Sequence, residues 1–261
     1  CAGVESMTRI PMGGFNPMPN PKLGETYPQA YMSMGETAEN LAKEYKISRD
    51  EQEEFAVSSH QKAAKAAESG KFDLELVAIG DVTKDGTIRA DSTKEALAGL
   101  KPAFDKDGTV TAATSSPLTD GSAAVLVCSE EYADKHKLPK LARIKSVAVA
   151  GCKAETMGNG PVPATHKALE RAGLKLSDID IIELNEAFAA QSLAVLKQLD
   201  ADISKVNLDG GAIALGHPLG TSGARITGKA ASLLHREGKK YALATMCIGG
   251  GQGVATILEK I

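Results

Sequence analysis

The sequence predicts an α/β protein, and three observations carry that expectation. After Leu138-Pro139, short apolar strand-type segments alternate with longer helix-type segments. The chain closes on two apolar strands around Ile248-Gly249-Gly250-Gly251-Gln252, in the manner of a hairpin that completes a sheet. Between Gly35 and Gly70 two helix-type stretches stand ahead of that alternating region. A domain boundary is expected near Pro139.

The elements follow in order. Pro11, Gly13, Gly14, Pro17, Pro19, Pro21 and Gly24 punctuate residues 11–24 too densely for a helix or a central strand. Methionines 12, 18, 32 and 34 accompany this stretch and are expected to fill gaps in a small core; an adaptable wall for an apolar ligand is the alternative. Residues 36–46 read as a helix. A second helix is announced by Ser48 with Glu51 three residues on, a capping box, and runs to about Ser69-Gly70. Its charges, Asp50, Glu51, Glu53, Glu54, Lys62 and Lys65, are expected on a solvated face, with His60 at the surface. Residues 74–95 read as short strands and turns around Asp85-Gly86. A hydroxyl-rich loop then precedes the small residues Gly121 to Ala124, which can pack closely. Beyond the boundary the expected elements are a strand over 142–150, a helix over 163–173 ending at Gly173, a strand over 179–184, a helix over 185–199, a helix over 222–238, and strands over 241–247 and 253–259.

Composition narrows the function classes. A chain of 261 residues with 43% hydrophobic and 24% charged residues can bury a sizeable core and is not disordered. A net charge of −3 supplies no polycationic field for nucleic acid. No apolar run approaches a membrane span, and no stretch at the start reads as a secretory signal. The 26 glycines point weakly to loop-built sites. Cys1, Cys128, Cys152 and Cys247 are scattered, with no Cys-x-x-Cys pair and no zinc spacing, so reduced thiols in an intracellular compartment are expected. The sequence opens at Cys1 and its first methionine is Met7, so a processed or partial chain is expected.

Three loops place a reactive or polar side chain beside a turn or glycines. Asn185, in I-E-L-N-E-A-F, sits at a strand-to-helix junction, where sheets of this class present groups to ligands; a plain helix N-cap is the reading this position favours by itself. His217 lies between Gly216 and Pro218, with Gly220 and Gly223 following, and is restrained as a general base must be; a structural histidine is the alternative. Cys247 ends an apolar strand and precedes three glycines whose N–H groups can converge on an oxyanion, although cysteine at such a place is often only a small hydrophobe. The G-G-G-Q-G run is neither a P-loop nor a dinucleotide fingerprint.

Taken together and in this order, N-E-A-F, G-H-P-L-G-T-S-G-A-R and C-I-G-G-G-Q-G resemble the thiolase family. G-V-E-S-M at 3–7, M-G-E-T-A-E-N at 34–40, L-K-P-A-F at 100–104 and S-S-P-L-T-D-G-S-A-A at 115–124 extend the resemblance over essentially the whole chain. The degradative 3-ketoacyl-CoA thiolases of fatty-acid β-oxidation are most similar, T-S-S standing where biosynthetic enzymes commonly have N-A-S.

The resemblance implies a layered α/β/α/β/α fold with an incomplete N-terminal domain. Residues 1–13 would be a remnant of that domain, 14–108 an inserted coenzyme-binding loop domain, 109–138 the end of the N-terminal domain and 139–261 the C-terminal domain. It implies acyl exchange between coenzyme A thioesters, with CoA and acyl-CoA as substrates and no permanently bound cofactor or metal. His217 matches the base that takes the nucleophile's proton, Cys247 the second cysteine, Asn185 the residue that fixes a water at the enolate, and Gly249 an oxyanion-hole N–H. Ser116 matches a contact to the pantetheine arm, Met34, Phe104 and Phe188 match apolar walls of the coenzyme site, and Arg89 a residue near the nucleotide end; core packing is the alternative for the two phenylalanines.

One departure matters. The family's nucleophilic cysteine stands in a C-x-S-type motif upstream of the segment in which this sequence opens, and Cys1, Cys128 and Cys152 fall outside that motif. The 261 residues alone are therefore expected to lack turnover. The partners implied are the missing N-terminal segment or sister subunits, as a homodimer or homotetramer. The compartment would be the cytoplasm in bacteria, and mitochondria or peroxisomes in eukaryotes. A ketoacyl synthase is disfavoured by Cys247, where that relative uses a second histidine; a non-catalytic CoA-binding or assembly subunit is the rival from another class.

Overall fold

A computed structural model describes residues 1–261. In chain order the strands are β1 (Ala2–Ser6), β2 (Asp120–Ala124), β3 (Ala142–Gly151), β4 (Ile181–Leu184), β5 (Tyr241–Ile248) and β6 (Gln252–Lys260). The α-helices are α1 (Pro21–Thr26), α2 (Met34–Tyr45), α3 (Arg49–Glu68), α4 (Lys94–Ala98), α5 (Glu130–Lys135), α6 (Pro161–Ala172), α7 (Ala189–Leu199), α8 (Ala212–Leu215) and α9 (Leu219–Arg236).

The main sheet has the order β3-β6-β5-β4, with β4 parallel to β5 and the other pairs antiparallel. Alternation along its strands sends two sets of side chains to opposite faces. Ile182, Leu184, Leu243, Ala255 and Ile257 join Ala164, Ala168, Val195 and Leu196 in the larger core, on the side of α6 and α7. Ile181, Ala242, Ala244 and Leu258 meet Ile226, Ala230, Leu233 and Leu234 of α9 on the other. With both faces covered, every residue of β4 is buried, as a near-continuous apolar strand of this kind requires.

Helix α9 is shared between two sheets. Its N-terminal end lies against the antiparallel pair β1-β2, where a side chain on Gly3 would stand 1.9 Å from the Gly220 carbonyl oxygen. Thr221 Oγ1 donates to the Gly121 carbonyl at 2.8 Å and to the Gly3 carbonyl at 3.3 Å, which ties helix to sheet. The layers thus run from α6 and α7 through the main sheet and α9 to β1-β2, whose outer side exposes Val4 at 78%. On the free edge of β3, Lys167 and Arg171 of α6 donate to the outward carbonyls of Val149 and Val147, covering acceptors that another strand could use.

Local sequence explains most helix starts. Ser48 and Glu51 form the expected capping box on α3, and Ser33 with Glu36 forms another on α2. Gly173 ends α6 at φ +66°. Several expectations are corrected. Residues 21–26 form a short helix despite the prolines, because Asn20 caps it and Pro21 occupies the first turn, where no N–H is required. Residues 74–95 contain a single isolated bridge, Ile79 to Val82, in place of short strands. Met12 and Met18 are exposed and fill no core. His60 is buried, its Nδ1 accepting from the Arg89 backbone N–H at 3.1 Å, because the 85–92 segment crosses over it. Glu53 is buried beside Arg49 and so does not join the solvated face. Helix α9 begins at Leu219, three residues before Ser222.

Candidate active site

The residues between β4 and α7 form one wall. Asn185 is fully buried, and its backbone N–H donates to the Thr245 carbonyl at 3.0 Å. It is not the N-cap that its position suggests: α7 starts at Ala189, with Phe188 at the cap. Segment 185–188 stays out of the helix as it pairs with the hydroxyl-rich loop, through a Ser115–Phe188 bridge and a 3.0 Å bond from the Ser116 N–H to the Ala187 carbonyl. Neither polar atom of the Asn185 amide has a protein partner. Burying an unpaired amide costs about 1–3 kcal/mol, so a group that retains it has its donors and acceptor available to something else.

Cys247 forms the floor. It is the last but one residue of β5, opposite Gly253, and packs with Met157 and Ala187, while the half-buried Met34 and Phe188 lie against that cluster. Burial pushes its thiol up to about 12, so at neutral pH it carries its proton. The hairpin glycines follow at once, Gly250 and Gly251 both at positive φ. Met34 Cε reaches to 4.0 Å from where a side chain on Gly249 would begin. A second thiol, Cys152, is aimed at the Met157 carbonyl at 3.7 Å, so both sulfurs face the same short segment. Spacing gave no sign of this neighbourhood, because Cys152 reaches it only through the β3-β6-β5 pairing.

His217 lies in the turn between α8 and α9. Gly216 adopts φ +89°, where a side chain would be strained and would also collide with Thr119 at 2.5 Å. Pro218 fixes the next residue. The ring Nδ1 lies 2.5 Å from Ser222 Oγ in the first turn of α9. Burial, assisted by the positive charge of Arg225, lowers the His217 pKa to about 4, so the ring is neutral at pH 7 and one nitrogen carries a lone pair. Helix α9 runs beside β5, and a side chain on Gly223 would stand 3.8 Å from Met246 Sδ, next to Cys247. The 115–119 loop links this turn to the first wall, touching Ala187 through Ser116 and Gly216 through Thr119.

The apolar side is closed by Phe104 and Phe188, edge to face at 5.7 Å between centroids, with Phe104 pressed on Gly35. Met34, Phe104, Phe188, Cys247 and Gly249 are thus drawn together, with Ser116 joined through Ala187, and the 115–119 loop leads from there to Gly216, next to His217. Arg89 is not in this group; it is exposed, and its backbone bond to His60 leads away from it.

Beside β4 lies a set of buried ionisable groups that the sequence does not single out. Glu183 is fully buried and burial raises its pKa to about 8, against the opposing pull of Arg225 and Lys229. Glu186 accepts from Ser59 Oγ at 2.6 Å, Asn207 Nδ2 at 2.7 Å and the Ile213 N–H at 3.1 Å. Asp209 pairs with Lys229 at 2.6 Å and Arg236 at 2.7 Å. The sequence signal for them is the pair of acidic residues within strand-like I-I-E-L-N-E. No three His, Cys, Asp or Glu side chains are placed to share a metal ion.

The family model "Thiolase, N-terminal domain" matches residues 1–131, and "Thiolase, C-terminal domain" matches 138–260. The 3-ketoacyl-CoA thiolase of Aliivibrio fischeri is 51% identical over 99% of this chain and 70% of its own length; that of Saccharophagus degradans is 52% identical over 99% and 69%. The chain therefore spans about seven-tenths of these curated relatives. The crystal structure of human mitochondrial 3-ketoacyl-CoA thiolase in complex with CoA superposes with a TM-score of 0.90 at 44% identity, covering 100% of this chain and 70% of that one. The Bacillus anthracis acetyl-CoA acetyltransferase has a TM-score of 0.83 at 49% identity, over 88% of this chain and 60% of its own.

Proposed function

The chain belongs to the thiolase family, whose layered α/β fold it shares, and we propose that it carries the base, proton-transfer and coenzyme-binding parts of a 3-ketoacyl-CoA thiolase. The reaction is thiolytic cleavage of a 3-ketoacyl-CoA by CoA, or its reversal by Claisen condensation. CoA and acyl-CoA are substrates; the solved relative that holds CoA supports that assignment.

The chemistry asks for a thiol nucleophile at the C3 carbonyl. His217, neutral and restrained, takes the thiol proton as the sulfur bonds to C3. The C2–C3 bond then breaks, its electron pair passing to the enolate of acetyl-CoA. Cys247 supplies the proton to C2, a role suited to a thiol that burial keeps protonated. CoA releases the acyl group as a new thioester, its thiol proton returning through the cysteine and histidine. Asn185, through a water, holds the enolate oxygen, and the Gly249 N–H contributes to the other oxyanion site. Ser116, Met34, Phe104 and Phe188 line the pantetheine path, and Arg89 serves the nucleotide end as the coenzyme extends outward.

The observation that carries this reading is the buried, partnerless amide of Asn185 beside the 115–119 loop and near Cys247. The C-x-S nucleophile motif is absent from these 261 residues, so the chain by itself is inactive and needs that segment, within a homodimer or homotetramer. The segments 1–13, 14–108, 109–138 and 139–261 are assigned as N-terminal remnant, loop domain, end of the N-terminal domain and C-terminal domain. Thiolysis of acetoacetyl-CoA and long-chain 3-ketoacyl-CoA by the 261-residue chain, and by the chain extended with a thiolase segment bearing the motif, tests this. Activity is expected only in the extended form. Activity of the short chain that vanishes in Cys1→Ala would overturn the assignment; a natural partner polypeptide carrying the motif would favour an assembly subunit.

A further inference from the structure

Ser222 is fully buried, and its hydroxyl meets one side chain, the His217 ring. A serine inside a helix commonly turns its hydroxyl back to the carbonyl four residues earlier. Here the Oγ instead lies 2.5 Å from His217 Nδ1. Neither member of the pair is free to drift. The backbone of His217 is set by Gly216 at φ +89° and by Pro218. The turn of α9 that carries Ser222 is anchored by Thr221 Oγ1 to the carbonyls of Gly3 and Gly121, and by the Gly220 N–H donating to Glu5 Oε2 at 3.2 Å.

We infer that Ser222 is a positioning residue: its hydroxyl accepts the Nδ1–H of His217, fixing the tautomer in which Nε2 presents its lone pair to the reacting groups. A neutral imidazole has one donor nitrogen and one acceptor nitrogen, and the partner at one edge decides which is which. A base must offer a lone pair toward the thiol, and the edge held by Ser222 cannot be the one that meets substrate. When Nε2 takes up a proton, the Nδ1–H bond persists and shares the new positive charge, as an outer partner of a reactive histidine does elsewhere. Arg225 stands one turn further along the same helix face, its Nε buried without a partner. Its charge, sensed by the ring, opposes a second proton in the resting protein. Ser222 and Arg225 therefore act on one ring from one helix, the first by direction and the second by charge.

The inference rests on the acyl-transfer reading of His217, and its first test does not depend on turnover. Two-bond proton–nitrogen spectra of the 15N-histidine-labelled chain at neutral pH report the tautomer of His217, assigned by its loss in His217→Gln. A donor-type Nδ1 and a bare Nε2 are expected, changing to a mixture in Ser222→Ala and returning in Ser222→Thr. A proton on Nε2 in the wild type, or an unchanged spectrum in Ser222→Ala, would overturn it. In the extended, active form, Ser222→Ala is expected to lower kcat by about ten- to a hundred-fold with KM within about two-fold, and Ser222→Thr to restore most of it. Equal kcat in Ser222→Ala and wild type would contradict the positioning role. A locked ring in an extended protein that never cleaves 3-ketoacyl-CoA would instead sink the acyl-transfer reading, leaving the ring restraint standing.

Discussion

The run from Ile181 to Ala187 and the run from Ile10 to Leu23 differ in almost every physical respect. All seven residues of the first are buried, between helices on both sides of the main sheet. In the second no residue is buried, and Phe15 and Met18 are 69% and 91% exposed. The first contains Glu183, Asn185 and Glu186, polar groups kept inside an apolar body; the second contains prolines, glycines and methionines on the outside. The difference separates two environments. Polar groups inside the apolar body are held where water is scarce and their electrostatics are strong. The exposed run packs against little and leaves its prolines, glycines and methionines to solvent.

That contrast can be broken most severely through packing. Leu243→Ala, in the centre of the main sheet, is expected to cost about 2–5 kcal/mol, whereas Phe15→Ala should cost less than about 0.5 kcal/mol. Denaturant unfolding of both variants measures it; comparable losses would mean that the exposed run carries structure of its own. Chemistry comes next. In the extended form, Asn185→Ala is expected to lower kcat about a hundred- to a thousand-fold while far-UV circular dichroism stays unchanged. A variant with full rate would reduce Asn185 to a buried spacer.

The buried charges give a smaller effect with a defined sign. Glu183 has its pKa raised from 4.5 to about 8, so the unfolded chain ionises first as pH rises. Its contribution is therefore intact below pH 4.5 and is lost progressively up to about pH 8. His217 acts in the reverse sense: with its pKa lowered from 6.5 to about 4, it takes stability away as pH falls from 6.5 toward 4. Glu183→Gln should flatten the alkaline side and stabilise the protein at pH 8 by about 1–3 kcal/mol. Thermal melts across pH 4–9 would show it, and an unchanged alkaline slope would count against a buried, proton-retaining Glu183.

Elements set by local chemistry were readable in the sequence, and those set by distant chain were not. Ser48 and Glu51 lie three residues apart, and their capping box needs nothing else. Gly173 marks the end of α6 for an equally local reason. Asn185 is legible as a position of interest but suggests a cap, because the loop that pairs with 187–188 and delays the helix comes from residues 115–116. His60 reads as a surface residue until Arg89 crosses it, 29 residues later. In the site itself, His217 and Cys247 stand out by their glycine-rich surroundings, whereas Ser222, Thr119 and Cys152 depend on how α9, the loop and three strands meet.

We propose that Cys247 is the proton-transferring thiol of a thiolase site. The most direct measurement is thiolysis of acetoacetyl-CoA by the chain extended with the C-x-S segment, comparing wild type with Cys247→Ala. Loss of kcat by about a hundred- to ten-thousand-fold, with CoA binding retained by calorimetry, is the result expected for a general acid–base group. Turnover by Cys247→Ala at the wild-type rate would contradict the account and leave Cys247 a small apolar residue at the end of a strand.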